Sequence, residues 1–249
     1  MDPMDFADYA DIEIENNAQR LPLVLCLDTS SSMAGEPVAL LNQALRDWTA
    51  QLKDDVSLSH SVEVAVVTFG GQRVTAWQGP RALSALPNVS PFVPAHHFEP
   101  PRLQAAGVTL MTEALELAMQ LVAARKTELR SLGLQYYRPQ ICVVTDGQPT
   151  DANGHATEAW RRTVPVLAAE QDARKFRLFA IGIGGISPRG EQVLEALAPK
   201  FHARLQGFPF RELLQMMSAS ASAEQRGAGD EIFERIFAQF KTQRPAYEG

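Results

Sequence analysis

Runs of largely apolar residues, each of strand length, alternate along the chain with longer stretches in which apolar residues recur every three or four positions. The runs are LVLCL at 23–27, VEVAVVTF at 62–69, QICVVT at 140–145 and FRLFAIGIG at 176–184. Continuous apolar runs such as the first and third are typical of parallel strands that are covered on both faces. The pattern therefore predicts four central strands of one sheet.

Stretches with helical periodicity lie between and after these strands. They predict helices at 36–52, 112–133, 156–173, 190–198 and from 210 to about 218. Pro165 lies within the third of these helices and is expected to kink or split it. Since strands and helices alternate, we predict an α/β fold: a doubly wound, mostly parallel sheet with helices on both faces.

Two further features complete the predicted sheet. RVTAW at 73–77 follows the strand at 62–69 across a Gly-Gly turn, so it is expected to form one antiparallel edge strand. A short strand is also expected near 202–205. Residues 78–106 contain six prolines and are predicted to form a long ordered loop.

Composition divides the chain into three predicted segments. These are an acidic N-terminal lead-in at 1–20, the α/β domain at 21–218, and a linker with a C-terminal amphipathic segment at 219–249. The linker, SASASAEQRGAG, is small and polar. The helix that follows, DEIFERIFAQF at 230–240, has an apolar stripe but is too short to be stable alone in water. It either packs on its own domain or binds in a groove of a partner, and the sequence leaves both open.

The charge of the chain is concentrated at its N-terminus. The formal net charge is −6, and the first twenty residues hold six acids against one arginine, a net −5. The remainder is close to neutral, so it lacks the basic face that a nucleic-acid-binding protein needs. We therefore expect no nucleic-acid partner.

The remaining composition favours a cytoplasmic protein with no membrane contact. No apolar run reaches the roughly 18 residues of a membrane span, and the acidic start lacks the basic and apolar regions of a signal peptide. The two cysteines, Cys26 and Cys142, both lie in apolar strand runs. We expect them to be buried reduced thiols, without a disulfide.

Polar residues gather at the ends of two predicted central strands. Asp28 ends the first strand and is followed by Ser30 and Ser32, while Asp146 ends the strand QICVVT. Ligands of doubly wound sheets bind at the carboxyl ends of the strands, where the strand order reverses. Thr109, just before the next helix, can add a third hydroxyl. We therefore expect an oxygen-rich concavity at this edge of the sheet.

Oxygen ligands of this kind suit a hard divalent cation. Magnesium takes few protein charges and retains several waters in octahedral geometry. Hydroxyl ligands neutralise little of the metal's charge, so the ion is expected to attract a carboxylate or phosphate of another molecule. The expected cofactor is Mg²⁺, with Mn²⁺ or Ca²⁺ as alternatives.

These residues resemble the metal-ion-dependent adhesion site of von Willebrand factor A (VWA) domains. The family pattern is Asp-x-Ser-x-Ser, then a threonine in a loop, then an aspartate. It is matched in order by Asp28, Ser30, Ser32, Thr109 and Asp146. The resemblance implies that these five residues bind the metal and that the domain binds partner proteins without catalysing a reaction.

The match departs from the family pattern around the ligands. Ser31 stands where the family usually has glycine, and Thr112 stands where the Thr-Pro-Met-Gly segment of the family has its last glycine. Leu110 replaces the proline of that segment. No metal ligand is lost, and Ser31 and Thr112 add side chains around the site.

Longer segments resemble the bacterial TerY-type VWA proteins associated with tellurite resistance. They include FADYADIEIENN, RKTELRSLGLQYYRPQICVVTDGQPTD and FRELLQMMSASASA, and the resemblance covers roughly residues 6–222. That group often accompanies a protein kinase-like protein and a PP2C-type phosphatase in one gene neighbourhood. The resemblance therefore implies a scaffold in a stress-resistance or signalling complex, with the kinase and the phosphatase as candidate partners.

Other interpretations of the same residues remain open at this point. A phosphatase that forms an aspartyl-phosphate would use Asp28 with Mg²⁺, but it needs a general acid two residues later, where this chain has Ser30. A structural assembly subunit with a vestigial metal site is a further alternative. The serines alone could cap the next helix, and Asp146 alone could belong to a turn.

Overall fold

The computed structural model describes residues 18–83 and 89–242, with the side chains of 241 and 242 excepted. All but the last three residues of the predicted acidic lead-in lie outside this part of the chain. Within it, eight strands form one sheet. They are β1 (Leu21–Asp28), β2 (Val62–Gly70), β3 (Arg73–Gln78), β4 (Arg81–Leu83), β5 (Val93–Pro94), β6 (Gln140–Thr145), β7 (Arg177–Gly182) and β8 (His202–Arg204).

The sheet is mostly parallel with an antiparallel edge, as the alternation of strands and helices predicted. Its strand order is β4-β3-β2-β1-β6-β7-β8, and β5 pairs with β2. Strand β1 pairs in parallel with both β2 and β6, whereas β3 runs antiparallel to β2. All eight residues of β1 are buried, because helices cover both faces of the sheet.

The helices divide between the two faces of the sheet. In chain order they are α1 (Glu36–Asp54), α2 (Val56–Ser61), α3 (Met111–Ser131), α4 (Trp160–Asp172), α5 (Pro188–Leu197), α6 (Phe210–Gln225) and α7 (Asp230–Thr242). One apolar cluster joins α1, α2, α6 and α7 to the sheet, and a second joins α3, α4 and α5 to its other face. In the described part of the chain, no helix is both long and apolar enough to cross a membrane.

Several short elements were not predicted from the sequence. Helix α2 is only six residues long, and its start is fixed by Asp55, whose carboxylate accepts hydrogen bonds from the backbone N–H groups of Ser57 and Leu58. In the predicted loop at 78–106, the described residues form β4, β5 and a 3₁₀ turn at Ala95–His97. Helix α4 begins at Trp160 and continues through Pro165, so the proline does not split it.

The predicted boundary between domain and linker requires a correction. Residues 219–225, which composition assigned to the linker, continue helix α6 to Gln225. Ser220, Ala221 and Ala223 are buried on its inner face. Small side chains here let the helix pack closely against the body, so this segment is part of the core.

The C-terminal helix α7 packs on its own domain. Phe233, Phe237 and Phe240 are buried in the same apolar cluster as α1 and α6. Asp230, at the first position of the helix, accepts a hydrogen bond of 2.7 Å from the guanidinium of the buried Arg177. Of the two alternatives left open by the sequence, the structure shows the self-docked one.

Candidate metal centre

The candidate site lies at the carboxyl edge of the sheet, between β1 and β6. The strand order reverses here, because the connection from β1 leads to β2 on one side while β6 and β7 follow on the other. Leu27 of β1 faces Val144 of β6, so the next residues, Asp28 and Thr145, are neighbours across the strand ends. This is the topological position at which doubly wound sheets bind ligands.

Asp28 is held in a fixed orientation beneath the site. Its side chain is buried, with the residue 1% exposed. One carboxylate oxygen accepts a hydrogen bond of 2.8 Å from the backbone N–H of Ser30, and the other accepts one of 2.5 Å from the hydroxyl of Thr145. Burial raises the pKa of Asp28 to about 6; these hydrogen bonds oppose the rise, and the charge of Asp146 adds to it.

The serines after β1 form a 3₁₀ turn that points two hydroxyls toward β6. The turn spans Ser31–Met33, and the Oγ atoms of Ser30 and Ser32 lie 3.0 Å apart. Ser32 Oγ also donates a hydrogen bond of 2.8 Å to Oδ1 of Asp146. Hydrogen bonds thereby connect oxygen atoms that come from the ends of two separate strands.

The serine run does not serve as the cap of the next helix. Helix α1 begins at Glu36 with Gly35 as its N-cap, a residue that has no side chain to bond to the free N–H groups there. Ser30 precedes the 3₁₀ turn but likewise makes no capping bond through its side chain. The hydroxyls of Ser30 and Ser32 are therefore engaged with the candidate site.

Thr109 approaches the site from the loop before α3. It is buried, and its main chain makes two hydrogen bonds of 2.9 Å with Thr150: its N–H donates to the Thr150 hydroxyl, and its carbonyl accepts from the Thr150 N–H. A methyl group placed on Gly147 would lie 3.5 Å from Thr109 Oγ1. This hydroxyl is thus adjacent to the residue that follows Asp146.

A close backbone contact ties the Thr109 loop to the serine turn. The carbonyl of Gly107 accepts a hydrogen bond of 3.0 Å from the N–H of Ser31. Gly107 has φ +70°, and a Cβ atom at this position would lie 2.3–2.6 Å from backbone atoms of Gly71. Only glycine fits a position with both constraints, so this residue keeps the two hydroxyl-bearing segments together.

The oxygen set fits a hard divalent cation. It consists of two carboxylates and three hydroxyls, with no sulfur or nitrogen, which are the groups that Mg²⁺, Mn²⁺ and Ca²⁺ prefer. Among the described residues, neither Asp28 nor Asp146 forms an ion pair with a lysine, arginine or histidine. The same part of the chain contains no group of three or more His, Cys, Asp or Glu side chains arranged to hold a metal ion, so a metal here would depend on the hydroxyls.

The five predicted residues thus meet at one place, and one positioning residue was missed. Ser30, Ser32 and Asp146 are joined by hydrogen bonds, Asp28 is bonded to the Ser30 backbone, and Thr109 lies beside the loop that follows β6. Thr145, which orients Asp28, ends an apolar run. The only signal in the sequence was a hydroxyl directly before Asp146.

A comparison with protein families decides the identity of this fold. The model for the von Willebrand factor type A domain matches residues 23–205, most of the chain. The chain belongs to the VWA domain family. VWA domains often bind a divalent cation and mediate protein–protein interactions. Comparison with curated protein sequences gave no match.

Solved structures share this VWA fold at low sequence identity. The pilus adhesin SpaC from Lactobacillus rhamnosus GG, in its open conformation, has a TM-score of 0.59 at 14% identity, covering 85% of this chain and 30% of SpaC. Human COPII-coat protein Sec24c has a TM-score of 0.53 at 11% identity, covering 84% and 33%. The vWF domain of the type V pili tip protein Mfa5 from Porphyromonas gingivalis has a TM-score of 0.50 at 10% identity, covering 85% and 97%. This VWA chain thus spans about a third of the first two proteins and nearly all of the Mfa5 domain.

Proposed function

We propose that this chain is a non-enzymatic VWA module that binds a divalent cation, Mg²⁺ in the first place, and uses it to bind an acidic or phosphorylated group of a partner protein. The observation that carries the proposal is the hydrogen-bonded series of oxygen atoms from Ser30 through Ser32 to Asp146, which lies next to the buried carboxylate of Asp28. Two acidic side chains that have no basic partner among the described residues favour a cation between them.

The proposed ligands are the hydroxyls of Ser30, Ser32 and Thr109, with Asp28 and Asp146 acting directly or through water. A serine hydroxyl can bind a cation through its oxygen while it donates its proton to a carboxylate. Ser32 already donates to Asp146. Because the hydroxyls contribute no formal charge, the cation would remain electrophilic and would favour an anionic group of a partner as a further ligand.

The environment of Asp28 argues against the phosphatase alternative. A nucleophilic carboxylate needs an oxygen that can reach the substrate. Asp28 is 1% exposed, and both of its oxygens accept hydrogen bonds. Ser30, two residues further on, has no acidic proton to supply to a leaving group. The hydrogen-bonded oxygen atoms of Ser30, Ser32 and Asp146 also argue against a vestigial site.

The wider setting is proposed from the sequence resemblance to TerY-type proteins. In that setting the chain is a cytoplasmic scaffold whose partners are a kinase-like protein and a PP2C-type phosphatase, in tellurite resistance or another stress response. The buried free thiols of Cys26 and Cys142 suit a reducing compartment.

Calorimetric titration of the metal-free protein with Mg²⁺ and Mn²⁺ tests the metal site. We expect saturable binding that Asp28→Ala abolishes and Ser32→Ala weakens. Asp54→Ala is the matched control: Asp54 is exposed at the far end of α1, so the variant loses the same charge without touching the site. Equal binding by Asp28→Ala and Asp54→Ala would refute the assignment.

The non-enzymatic part of the proposal has its own test. Purified protein with Mg²⁺ should hydrolyse neither nucleotides nor phosphomonoesters, and should capture a partner protein only while the metal is present. Turnover that disappears in Asp28→Asn would instead support the phosphatase alternative.

A further inference from the structure

A groove begins beside the candidate metal centre and runs along the first half of α1. Its volume is about 470 Å³, and it lies between this helix and the chain segment 102–105. Its inner end is formed by Ala34, two residues after Ser32, and by Ala105, whose neighbour Ala106 donates a hydrogen bond to the Thr29 carbonyl. The inner end of the groove is therefore formed by the two chain segments that lead to Ser32 and to Thr109.

The groove is built as a fixed feature of the fold. The side-chain amide of Asn42 donates a hydrogen bond of 3.0 Å to the carbonyl of Leu103, and its oxygen accepts one of 2.8 Å from the Leu103 N–H. The same amide bonds to the carbonyl of Val38 within α1. Leu103 itself is buried in the core. Since Asn42 clamps the two walls together, the groove is preformed.

The charged residues that line the groove are basic in the part of the chain that the structure describes. Arg46 and Arg102 line it together with small, apolar and amide side chains, and no acidic residue among the described ones contributes to it. Both arginines are exposed, and neither forms an ion pair with another described residue; Arg46 donates one hydrogen bond, to Gln43. The acids Glu36 and Asp47 of α1 lie outside the lining.

We infer that this groove binds the segment of a partner that flanks the metal-bound carboxylate, and that the segment is an extended acidic peptide. From Glu36 to Arg46 the helix rises about 15 Å at 1.5 Å per residue. An extended peptide covers that distance in four to five residues at about 3.3 Å each. Because Ser32 precedes Glu36 by four residues, this span is a minimum. The structure thus favours a second Asp or Glu at least four to five positions from the one on the metal, with a small or apolar residue between them over Val38.

This inference rests on the proposed function, since the first acid of the peptide is the metal ligand. It adds a partner class that the metal centre alone does not specify. The complementary charges select peptides with two acids at this spacing and disfavour basic ones.

Two labelled peptides test the inference by fluorescence anisotropy with the full chain. One contains Glu-Ala-Leu-Ala-Ala-Glu and the other Glu-Ala-Leu-Ala-Ala-Gln, both acetylated and amidated. In Mg²⁺ we expect the two-acid peptide to bind roughly fivefold more tightly, the sum of two exposed charge pairs on one carboxylate. Both should dissociate when a chelator is added.

Charge reversal in the groove gives the deciding comparison. The double variant Arg46→Glu and Arg102→Glu should remove the advantage of the two-acid peptide over the one-acid peptide. Arg226→Glu is the control for a single charge reversal away from the groove, because Arg226 is exposed at the end of α6, near the opposite edge of the sheet. Equal denaturant midpoints will show that the variants are folded.

Each failure has a separate meaning. Metal-dependent binding of both peptides with equal affinity, or an advantage that survives the double variant, would overturn the groove and leave the metal centre standing. Binding of the one-acid peptide that ignores the chelator, or no binding of it at all, would overturn the proposed function and the groove with it.

Discussion

Replacing Phe237 by alanine should loosen the C-terminal helix from the body of the domain. The Phe237 ring is 3% exposed. Its centroid lies 5.7 Å from that of Phe201 in an edge-to-face arrangement, and 5.9 Å from those of Phe179 and Phe240. A buried Phe→Ala change typically costs about 3–5 kcal/mol, and the aromatic contacts of Phe237 place this site toward the upper end.

The expected cost is large in relation to the stability of the protein. The free energy of unfolding of a domain is typically about 5–15 kcal/mol, so the urea midpoint should fall clearly. If α7 detaches before the body unfolds, the measured global loss is limited to the docking free energy of the helix. Trypsin cleaves after Arg235, an exposed residue within α7. The rate of this cleavage should then rise by more than the loss of global stability, measured from the urea midpoint, would predict.

The matched control is Ile232→Ala on the same helix. Ile232 is 42% exposed, so this substitution should change stability by no more than about 0.5 kcal/mol. If Phe237→Ala retained the wild-type urea midpoint and the wild-type cleavage rate after Arg235, the packing of α7 on its own domain would be refuted.

Three further perturbations probe the site and the tail. Gly107→Ala should destabilise the fold and weaken Mg²⁺ binding, since a Cβ would strike the facing backbone; denaturation and calorimetry measure both, and unchanged values would contradict the close approach. Thr145→Val removes a hydrogen bond of 2.5 Å to Asp28 and should lower Mg²⁺ affinity roughly tenfold, whereas Thr145→Ser should retain it. The hydrogen bond and charge of Arg177 lower the pKa of Asp230, so this stabilisation is present above the ordinary Asp pKa of about 4 and is lost as pH falls through the lowered value; between pH 5 and 3 the urea midpoint should fall more in wild type than in Asp230→Asn.

Most of the sheet could be predicted because strands that are buried on both faces have continuous apolar sequences. The apolar runs that became β1 and β6 contain few polar residues, so their identity did not depend on distant contacts. Elements that depend on a few hydrogen bonds, either local or between distant parts of the sequence, have no comparable apolar pattern. Helix α2 depends on the capping carboxylate of Asp55, and β5 is two residues long and exists through its pairing with β2.

The candidate ligands could be predicted for a different reason. They are polar residues in positions where apolar ones would continue a strand, and they share one edge of the sheet. The orientation of Asp28 could not be predicted, because Thr145 hydrogen-bonds to it across 117 positions of sequence. The groove could not be predicted either, because Asn42 and Leu103 are distant in sequence and come into contact only in the folded chain.

The end of α6 shows how composition and local chemistry can disagree within one segment. The run SASASA was assigned to a linker because small polar residues are common there, yet alanine has the highest helix propensity of any residue. The true stop signal is Gly227, which has φ +64°. Its N–H bonds to the carbonyl of Glu224, and the N–H of Ala228 bonds to that of Ala223, which is the pairing of a Schellman C-cap. A helix that ends in this way leaves only residues 226–229 between α6 and α7. Ala228 of this short connection packs against the apolar core, and Asp230, at the start of α7, accepts a hydrogen bond from the buried Arg177. Phe233, Phe237 and Phe240 are buried further along the helix. These contacts hold α7 against the body along its length, and they are the physical reason to regard it as part of the domain.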